Sequence, residues 1–127
     1  MILADTDVLI DYLAGRQPIL NQVREYILGE QLQTSAVTAF ELLCGAQPDQ
    51  RGDAIRDFLS LIDILPVDTV AVAHAAAEQR RLVSGGFTLP TADALIAGIA
   101  LANDLTLFTR NTKHFEKVAG LRILPPG

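Results

Sequence analysis

The chain has 127 residues, half of them hydrophobic and none of them tryptophan. This length suits one domain with one proper core, and the aliphatic composition is typical of helices that cover a parallel sheet. The formal net charge of −5 argues against a general nucleic-acid-coating protein, which needs a basic face. An enzyme whose acidic cleft is neutralised by metal cations remains compatible with that charge.

The apolar segments and the cysteine content predict where the protein works. No apolar run reaches membrane-spanning length, so we expect no membrane association. The apolar start lacks a preceding basic region, and its pattern predicts a strand instead of a signal peptide. The single Cys44 cannot form an internal disulfide, which favours the reducing cytoplasm. We expect Cys44 to be a buried thiol.

Strands and helices alternate along the predicted chain. Residues 1–5 (MILAD) form the first predicted strand, and the helix that follows is predicted to begin with Asp7 as its N-cap and to end at Gly15. The later predicted elements are a helix (18–29), a strand (32–36), two helices (37–46 and 50–63), a strand (64–67), two helices (68–85 and 91–104), a strand (105–109), a short helix (113–118) and a strand (121–124). This order predicts an α/β fold with a parallel sheet.

Polar side chains follow several of the predicted strands. Asp5 ends the first strand, Glu41 lies in the helix after the second, and residues 109–111 end the "LTLFT" strand. Asp93 lies in the first turn of the apolar helix 91–104. Sites in open parallel sheets form beyond the carboxyl ends of the strands. We therefore expect these groups to meet at one edge of the sheet.

Four segments in this order closely resemble the PIN domain, and specifically the VapC-type toxins of bacterial toxin–antitoxin pairs. The segments are ADTDVLID (4–11), TSAVTAFELLCG (34–45), TADALIAGIA (91–100) and LFTRNTKHF (107–115). The resemblance covers essentially the whole chain. It implies a single PIN domain over residues 1–127, built as a three-layer α/β/α sandwich with a short parallel sheet. It also implies a Mg²⁺-dependent endoribonuclease that is neutralised by a VapB-type antitoxin.

The resemblance assigns metal-binding roles to four residues. Asp5, Glu41 and Asp93 match the three acidic catalytic positions of the family, with Asp5 and Asp93 as the core metal ligands. Asn111 falls on a fourth position that is often aspartate, and its amide oxygen brings no negative charge. Carboxylates with open coordination sites suit Mg²⁺, and Mn²⁺ is an expected substitute. A bound ion activates water at neutral pH and would share the charge of Asp5.

Four further residues are expected to support the site. Thr6 and Thr109 fall at small hydroxyl positions that would orient ligands or the substrate phosphate. Arg110 and Lys113 flank Asn111 and either bind RNA phosphate or form a solvated face.

The remaining acids and histidines are expected to play ordinary roles. Apart from its capping role, Asp7 is not expected to bind metal, and Asp11 is expected to be an exposed helix charge. His74 and His114 are interpreted as packing or surface residues, with His114 the better candidate for a substrate contact.

Two other functions fit parts of the sequence. A catalytically degenerate PIN domain would act as a binding module only. The segment "DTDVLI" also resembles the start of aspartyl phosphatases, in which Asp5 would be the nucleophile and Asp7 the acid/base; the lysine and acidic pair that this chemistry needs downstream are not found. Apolar helix faces in 18–28 and 39–45 suggest a homodimer and an antitoxin groove.

Overall fold

The computed structural model describes residues 1–127 as strands that alternate with helices. In chain order the elements are β1 (Ile2–Ala4), α1 (Thr6–Leu13), α2 (Ile19–Leu28), β2 (Leu32–Ser35), α3 (Ala36–Cys44), α4 (Gln50–Leu59), β3 (Asp63–Leu65), α5 (Thr69–Ser84), α6 (Thr91–Ala102), β4 (Thr106–Phe108), α7 (Thr112–Phe115) and β5 (Ile123–Leu124). Every predicted element is present, with ends that differ by a few residues.

All five strands are parallel and lie in the order β3-β2-β1-β4-β5. The first strand is central, and Ala4 is in register with Thr34 on one side and Phe108 on the other. The carboxyl ends of β1, β2 and β4 therefore lie side by side. This register places Asp5 next to Thr109, one residue beyond the ends of β1 and β4.

Two hydrophobic cores lie on opposite faces of the sheet, as successive strand residues alternate between faces. Leu3 and Leu107 pack with α5, α6 and α7 on one face. Ala4 and Phe108 pack with α1, α2, α3 and α4 on the other. The fold is thus the predicted three-layer α/β/α sandwich. No helix is both long and apolar enough to cross a membrane.

Helix α6 packs closely against α5 at a glycine. A Cβ on Gly98 would overlap the carbonyl oxygen of Ala71 and would lie 2.8 Å from the Cβ of Ala75. The backbones of the two helices approach this closely because all three positions have small side chains. The position of Gly98 therefore fixes where α6, and with it Asp93, lies against the rest of the layer.

Three expectations about individual residues are wrong. Asp5, not Asp7, is the N-cap of α1, because the strand ends one residue earlier than predicted, at Ala4, and the Asp5 side chain accepts the Thr6 N–H. Asp11 is buried instead of exposed, because two arginines cover it. Cys44 is exposed, because it lies on the outer side of α3 at its last residue.

Candidate active site

Asp5 is buried at the carboxyl end of β1, where both of its carboxylate oxygens accept hydrogen bonds. The backbone N–H of Thr6 donates to Oδ1 at 2.8 Å, and the hydroxyl of Thr109 donates to Oδ2 at 2.8 Å. The backbone N–H of Asp5 donates to Phe108 O at 2.9 Å, which continues the ladder between β1 and β4. These bonds fix the carboxylate at the sheet edge.

The environment of Asp5 disfavours its charged form. Burial raises its pKa from 3.8 to about 6, and the negative charges of Asp7 and Asp93 add to this increase. The hydrogen bonds from Thr109 and Thr6 act in the opposite direction and are outweighed. Asp5 therefore carries an unshared negative charge at neutral pH, which a cation would stabilise.

Glu41 joins the same edge through Thr6. The Thr6 hydroxyl donates to Glu41 Oε1 at 2.7 Å and lies 3.0 Å from the hydroxyl of Thr38. Glu41 is an exposed residue of α3, a helix that begins directly after β2 with Ser35 as its N-cap. Thr6, the residue next to Asp5, thus holds Glu41, the second of the three predicted acids.

Asp93, Asn111 and His114 form the other end of the site. Asp93 lies in the first turn of α6, and its Oδ2 is 2.8 Å from His114 Nδ1. The same ring nitrogen is 2.7 Å from Asn111 Nδ2. The backbone N–H of Asn111 donates to the hydroxyl of Thr109 at 3.0 Å. Asn111 therefore connects Asp93 and His114 to the Asp5 end of the site.

A chain of hydrogen bonds and one close polar contact, between Asn111 Nδ2 and His114 Nδ1, links all four predicted metal-binding positions. We call it the edge network. In order it contains Glu41, Thr6, Asp5, Thr109, Asn111, His114 and Asp93. No three His, Cys, Asp or Glu side chains lie close enough together to hold a metal ion. The predicted residues thus share one edge of the sheet but do not form a closed carboxylate cage.

The loop after β4 is tied to α1 by acidic side chains. The backbone N–H of Arg110 donates to Asp7 Oδ2 at 3.1 Å, and Arg110 Nε forms an ion pair with Asp11 at 3.1 Å. Burial raises the pKa of Asp7, while the charge of Arg110 and its backbone N–H oppose this increase. Asp7 thus holds the loop that carries Thr109 and Asn111. Lys113 is exposed on α7 and forms no ion pair.

His114 has a closer connection to the site than the sequence interpretation gave it. Its partner Asp93 is 21 residues away, so no local pattern reports the contact. One local signal was available, because His114 follows Asn111 by three residues and such pairs face each other in a helical turn. The other histidine, His74, is exposed on α5 and lies outside the edge network.

The donor chemistry of the edge network fits a hard divalent cation. Carboxylates and an amide supply oxygen ligands, which Mg²⁺ prefers over nitrogen or sulfur. The negative charge of the buried Asp5, close enough to Asp93 for the two charges to interact, also favours a bound cation. Asp93 Oδ1 forms no hydrogen bond and is free for a further ligand.

Comparison with known proteins gives consistent matches over most of the chain. The chain matches the PIN domain family model over residues 2–121. It is 32% identical over 122 residues to the tRNA(fMet)-specific endonuclease VapC of Shigella flexneri, covering 93% of this chain and 92% of that protein.

Two solved structures have the same fold. The DNA-bound VapBC structure from Salmonella typhimurium matches with a TM-score of 0.85 and 25% identity, over 98% of this chain and 96% of that chain. A toxin–antitoxin complex from Klebsiella pneumoniae matches with a TM-score of 0.82 and 27% identity, over 100% of this chain and 98% of that chain. The chain therefore belongs to the PIN-domain family and, within it, to the VapC group.

Proposed function

We propose that the protein is a metal-dependent endoribonuclease that hydrolyses RNA phosphodiester bonds and acts as the toxin of a toxin–antitoxin pair. The edge network carries this proposal, because it joins Asp5, Glu41, Asp93 and Asn111 at the edge of a parallel sheet where ligands bind. The Shigella relative is named as an endonuclease specific for tRNA(fMet), which makes tRNA the first RNA class to test.

Asp5 and Asp93 are the proposed metal ligands, with Glu41 and Asn111 as further oxygen donors. Mg²⁺, or Mn²⁺ in its place, would supply a water of lowered pKa and a positive charge for the phosphate oxygens. The chain's own residues hold these donors in place. Thr109 orients Asp5 through a 2.8 Å hydrogen bond, and Thr6 orients Glu41 through one of 2.7 Å.

The proposed partner is a VapB-type antitoxin, and the proposed assembly is a homodimer. The apolar side chains of Ile10, Phe40 and Leu43 are exposed around α1 and α3, and Phe40 is 67% exposed. A groove of about 270 Å³ lies between α1, α3 and α4 and is lined mostly by apolar residues. Exposed apolar surface of this kind favours protein partners. The solved neighbours with antitoxin in their complexes support the same proposal.

A binding module without catalysis is the second candidate function. The observation that favours it is the open arrangement of the acids, since no three of them are close enough to hold a metal. The phosphatase alternative has less support, because the Asp7 carboxylate accepts the backbone N–H of Arg110 and is occupied in holding the loop.

An RNA cleavage assay tests the proposal. Purified protein is incubated with total tRNA in Mg²⁺, in Mn²⁺ or in chelator, and the products are separated by electrophoresis. We expect cleavage that needs the cation and that falls at least about a hundredfold in Asp5→Asn. Residues that only support a metal ligand lose about ten- to a hundredfold.

The matched control is Asp57→Asn, which removes an exposed aspartate of α4 that lies outside the edge network. This variant should cleave like the wild type. Cleavage by Asp5→Asn at the wild-type rate would remove Asp5 from the mechanism. A folded wild type that binds antitoxin but cleaves no RNA with either cation would leave the binding module as the function.

A further inference from the structure

A buried acid beside the edge network holds two arginines at the protein surface. Asp11 lies on α1, one turn after Asp7, and only 4% of it is exposed. Arg16 Nη1 donates to its Oδ1 at 2.7 Å, and Arg110 Nε lies 3.1 Å from its Oδ2. Each carboxylate oxygen therefore faces a different guanidinium group.

Both arginines keep guanidinium N–H donors that do not contact Asp11. The Arg16 side chain is 64% exposed and the Arg110 side chain 54% exposed. Each places one nitrogen on Asp11, and the other guanidinium nitrogens form no hydrogen bond within the chain. A guanidinium group has five N–H donors in a fixed planar fork that matches phosphate geometry. Both forks can therefore still bind an anion from solvent.

The position of the pair relative to the edge network indicates which anion it meets. Arg110 directly follows Thr109, the residue whose hydroxyl donates to Asp5. The backbone N–H of Arg110 is fixed by Asp7 at 3.1 Å. An RNA strand with its scissile phosphate at Asp5 has further phosphates along its backbone, and Arg110 is placed to meet one beside the scissile group.

Neutralising Asp11 does not by itself account for two arginines. One arginine could pair with both carboxylate oxygens through a bidentate contact and satisfy the buried charge. Here each oxygen of Asp11 faces a different arginine, and the charge of Arg110 also acts on the Asp7 carboxylate. The buried carboxylate of Asp11 thus orients two exposed arginines in a protein whose formal net charge is −5.

We propose that Arg16 and Arg110 form an RNA phosphate-binding site beside the scissile phosphate, and that Asp11 is a positioning residue that orients both. This inference rests on the proposed ribonuclease function and deepens it by assigning a substrate-binding site. Sequence interpretation gave Asp11 no such role, because its partners are set by the meeting of α1 with the loop after β4.

RNA binding without cleavage tests the site. The dissociation constant of a fluorescein-labelled single-stranded RNA is measured by anisotropy in chelator at several salt concentrations. We expect Arg16→Gln and Arg110→Gln each to weaken binding about tenfold, equivalent to ~1.4 kcal/mol. Each should also reduce the slope of log affinity against log salt by about 0.7, the value for one lost phosphate contact on a single strand.

Asp11→Asn is the most discriminating variant, because a positioning role and simple charge attraction predict opposite changes in RNA affinity. The substitution makes the protein less negative, so Coulomb attraction alone would tighten RNA binding. A positioning role predicts weaker binding, because both arginines keep their charge but lose the group that orients them. Equal or tighter binding of RNA by Asp11→Asn overturns the inference.

The controls separate this site from folding, from a protein partner and from the proposed function. Arg80→Gln removes an exposed arginine of α5 on the other side of the sheet and should leave RNA affinity nearly unchanged. Arg16→Lys and Arg110→Lys keep a positive charge beside Asp11, so we expect them to fold even if the glutamine variants do not. Each should still bind RNA about threefold more weakly, since lysine lacks the planar fork.

Three outcomes contradict either the inference or the proposed function. Unchanged RNA affinity in all the Arg16, Arg110 and Asp11 variants, in a protein whose wild type cleaves RNA, overturns the inference and leaves the proposed function in place. Weakened binding of antitoxin with unchanged binding of RNA does the same and assigns the pair to the protein partner. A wild type that neither binds nor cleaves RNA overturns the proposed function itself.

Discussion

The imidazole of His114 lies against the carboxylate of Asp93, with Nδ1 2.8 Å from Oδ2. A carboxylate only accepts hydrogen bonds, so we assign the proton to Nδ1 and let it donate to Asp93. Asn111 Nδ2 lies 2.7 Å from the same nitrogen and cannot donate to it while Nδ1 carries the proton, so this pair is a close polar contact. His114 thus holds one oxygen of Asp93 and leaves the other free for a cation.

His114→Ala should weaken metal binding without removing a ligand. Hydrogen-bond partners of ligating carboxylates orient them, and their loss typically costs ten- to a hundredfold in metal affinity. We expect about tenfold more Mg²⁺ or Mn²⁺ to be needed for half-maximal RNA cleavage. His74→Ala is the matched control, since His74 is the only other histidine and lies on α5 away from the edge network.

A decrease in the metal requirement of His114→Ala would contradict this role. It would mean that the imidazole competes with the cation for Asp93 instead of orienting the carboxylate. An unchanged requirement would place His114 outside the metal site altogether.

Asp5→Asn should stabilise the protein in a pH-dependent way in chelator. Burial raises the pKa of Asp5 from 3.8 to about 6, so the folded state holds this proton more tightly than the unfolded state does. Well below pH 3.8 the carboxyl is protonated in both states, so its burial carries no charge penalty. Between about pH 4 and pH 6 the unfolded state releases this proton while the folded state keeps it, so the stability of the wild type falls by up to about 3 kcal/mol, and the loss is constant above that range.

Urea denaturation of the two proteins at pH 4 and pH 7.5 measures this effect. The stability advantage of Asp5→Asn over the wild type should be larger at pH 7.5 than at pH 4. The asparagine oxygen can still accept the Thr6 N–H that caps α1. An advantage that is equal at both pH values would show that folding does not raise the pKa of Asp5.

The sequence predicted the sheet and the edge residues because both depend on local patterns. Asp5 directly follows a short apolar strand, and Asp93 opens an apolar helix, so strand and helix periodicity place them correctly. Parallel strands then bring such ends together without any knowledge of packing. The order of elements and the two-sided covering of the sheet follow from the same alternation.

The errors concern residues whose surroundings come from distant parts of the chain. The sequence predicts that Asp11 is an exposed helix charge, but Arg110 reaches it from 99 positions later in the chain. His114 meets Asp93 across a separation of 21 residues. The N-cap of α1 is Asp5 instead of the predicted Asp7. Both are good capping residues, and the choice between them depends on where the preceding strand ends.

Gly98→Ala should destabilise the fold although alanine is the better helix former. The added Cβ would overlap Ala71 O and lie 2.8 Å from Ala75 Cβ, so α5 and α6 would have to separate. We expect a loss of about 1–3 kcal/mol in the free energy of unfolding, as for other overpacked cores. Chemical denaturation measures it.

Gly45→Ala is the comparison variant for Gly98→Ala. A Cβ at Gly45 would meet only Leu42 O at 3.6 Å, and the backbone there has a negative φ that alanine adopts freely. Its stability should stay within about 0.5 kcal/mol of the wild type. Equal stability of the two alanine variants would mean that the helices can separate without cost at Gly98.

Asp93→Asn tests whether Asp93 and Asp5 share one cation. The charge of Asp93 contributes to the raised pKa of Asp5, so the two carboxylates repel each other when no cation is present. Removing one charge should raise the melting temperature slightly in chelator, by the equivalent of less than about 1 kcal/mol. Asparagine keeps an oxygen that can accept from His114, so the contact with α7 is preserved.

Adding Mg²⁺ or Mn²⁺ should then make the wild type more stable than Asp93→Asn. The wild type gains about 2.7 kcal/mol when free metal is a hundredfold above its dissociation constant, because only the folded state binds it. Asp93→Asn lacks a charged ligand and should gain much less, so the two melting curves cross as metal is added. A variant that is less stable than the wild type in chelator, yet gains as much from metal, would make Asp93 a structural residue of the α6 start. The cation would then have to be held by Asp5, Glu41 and Asn111 without Asp93.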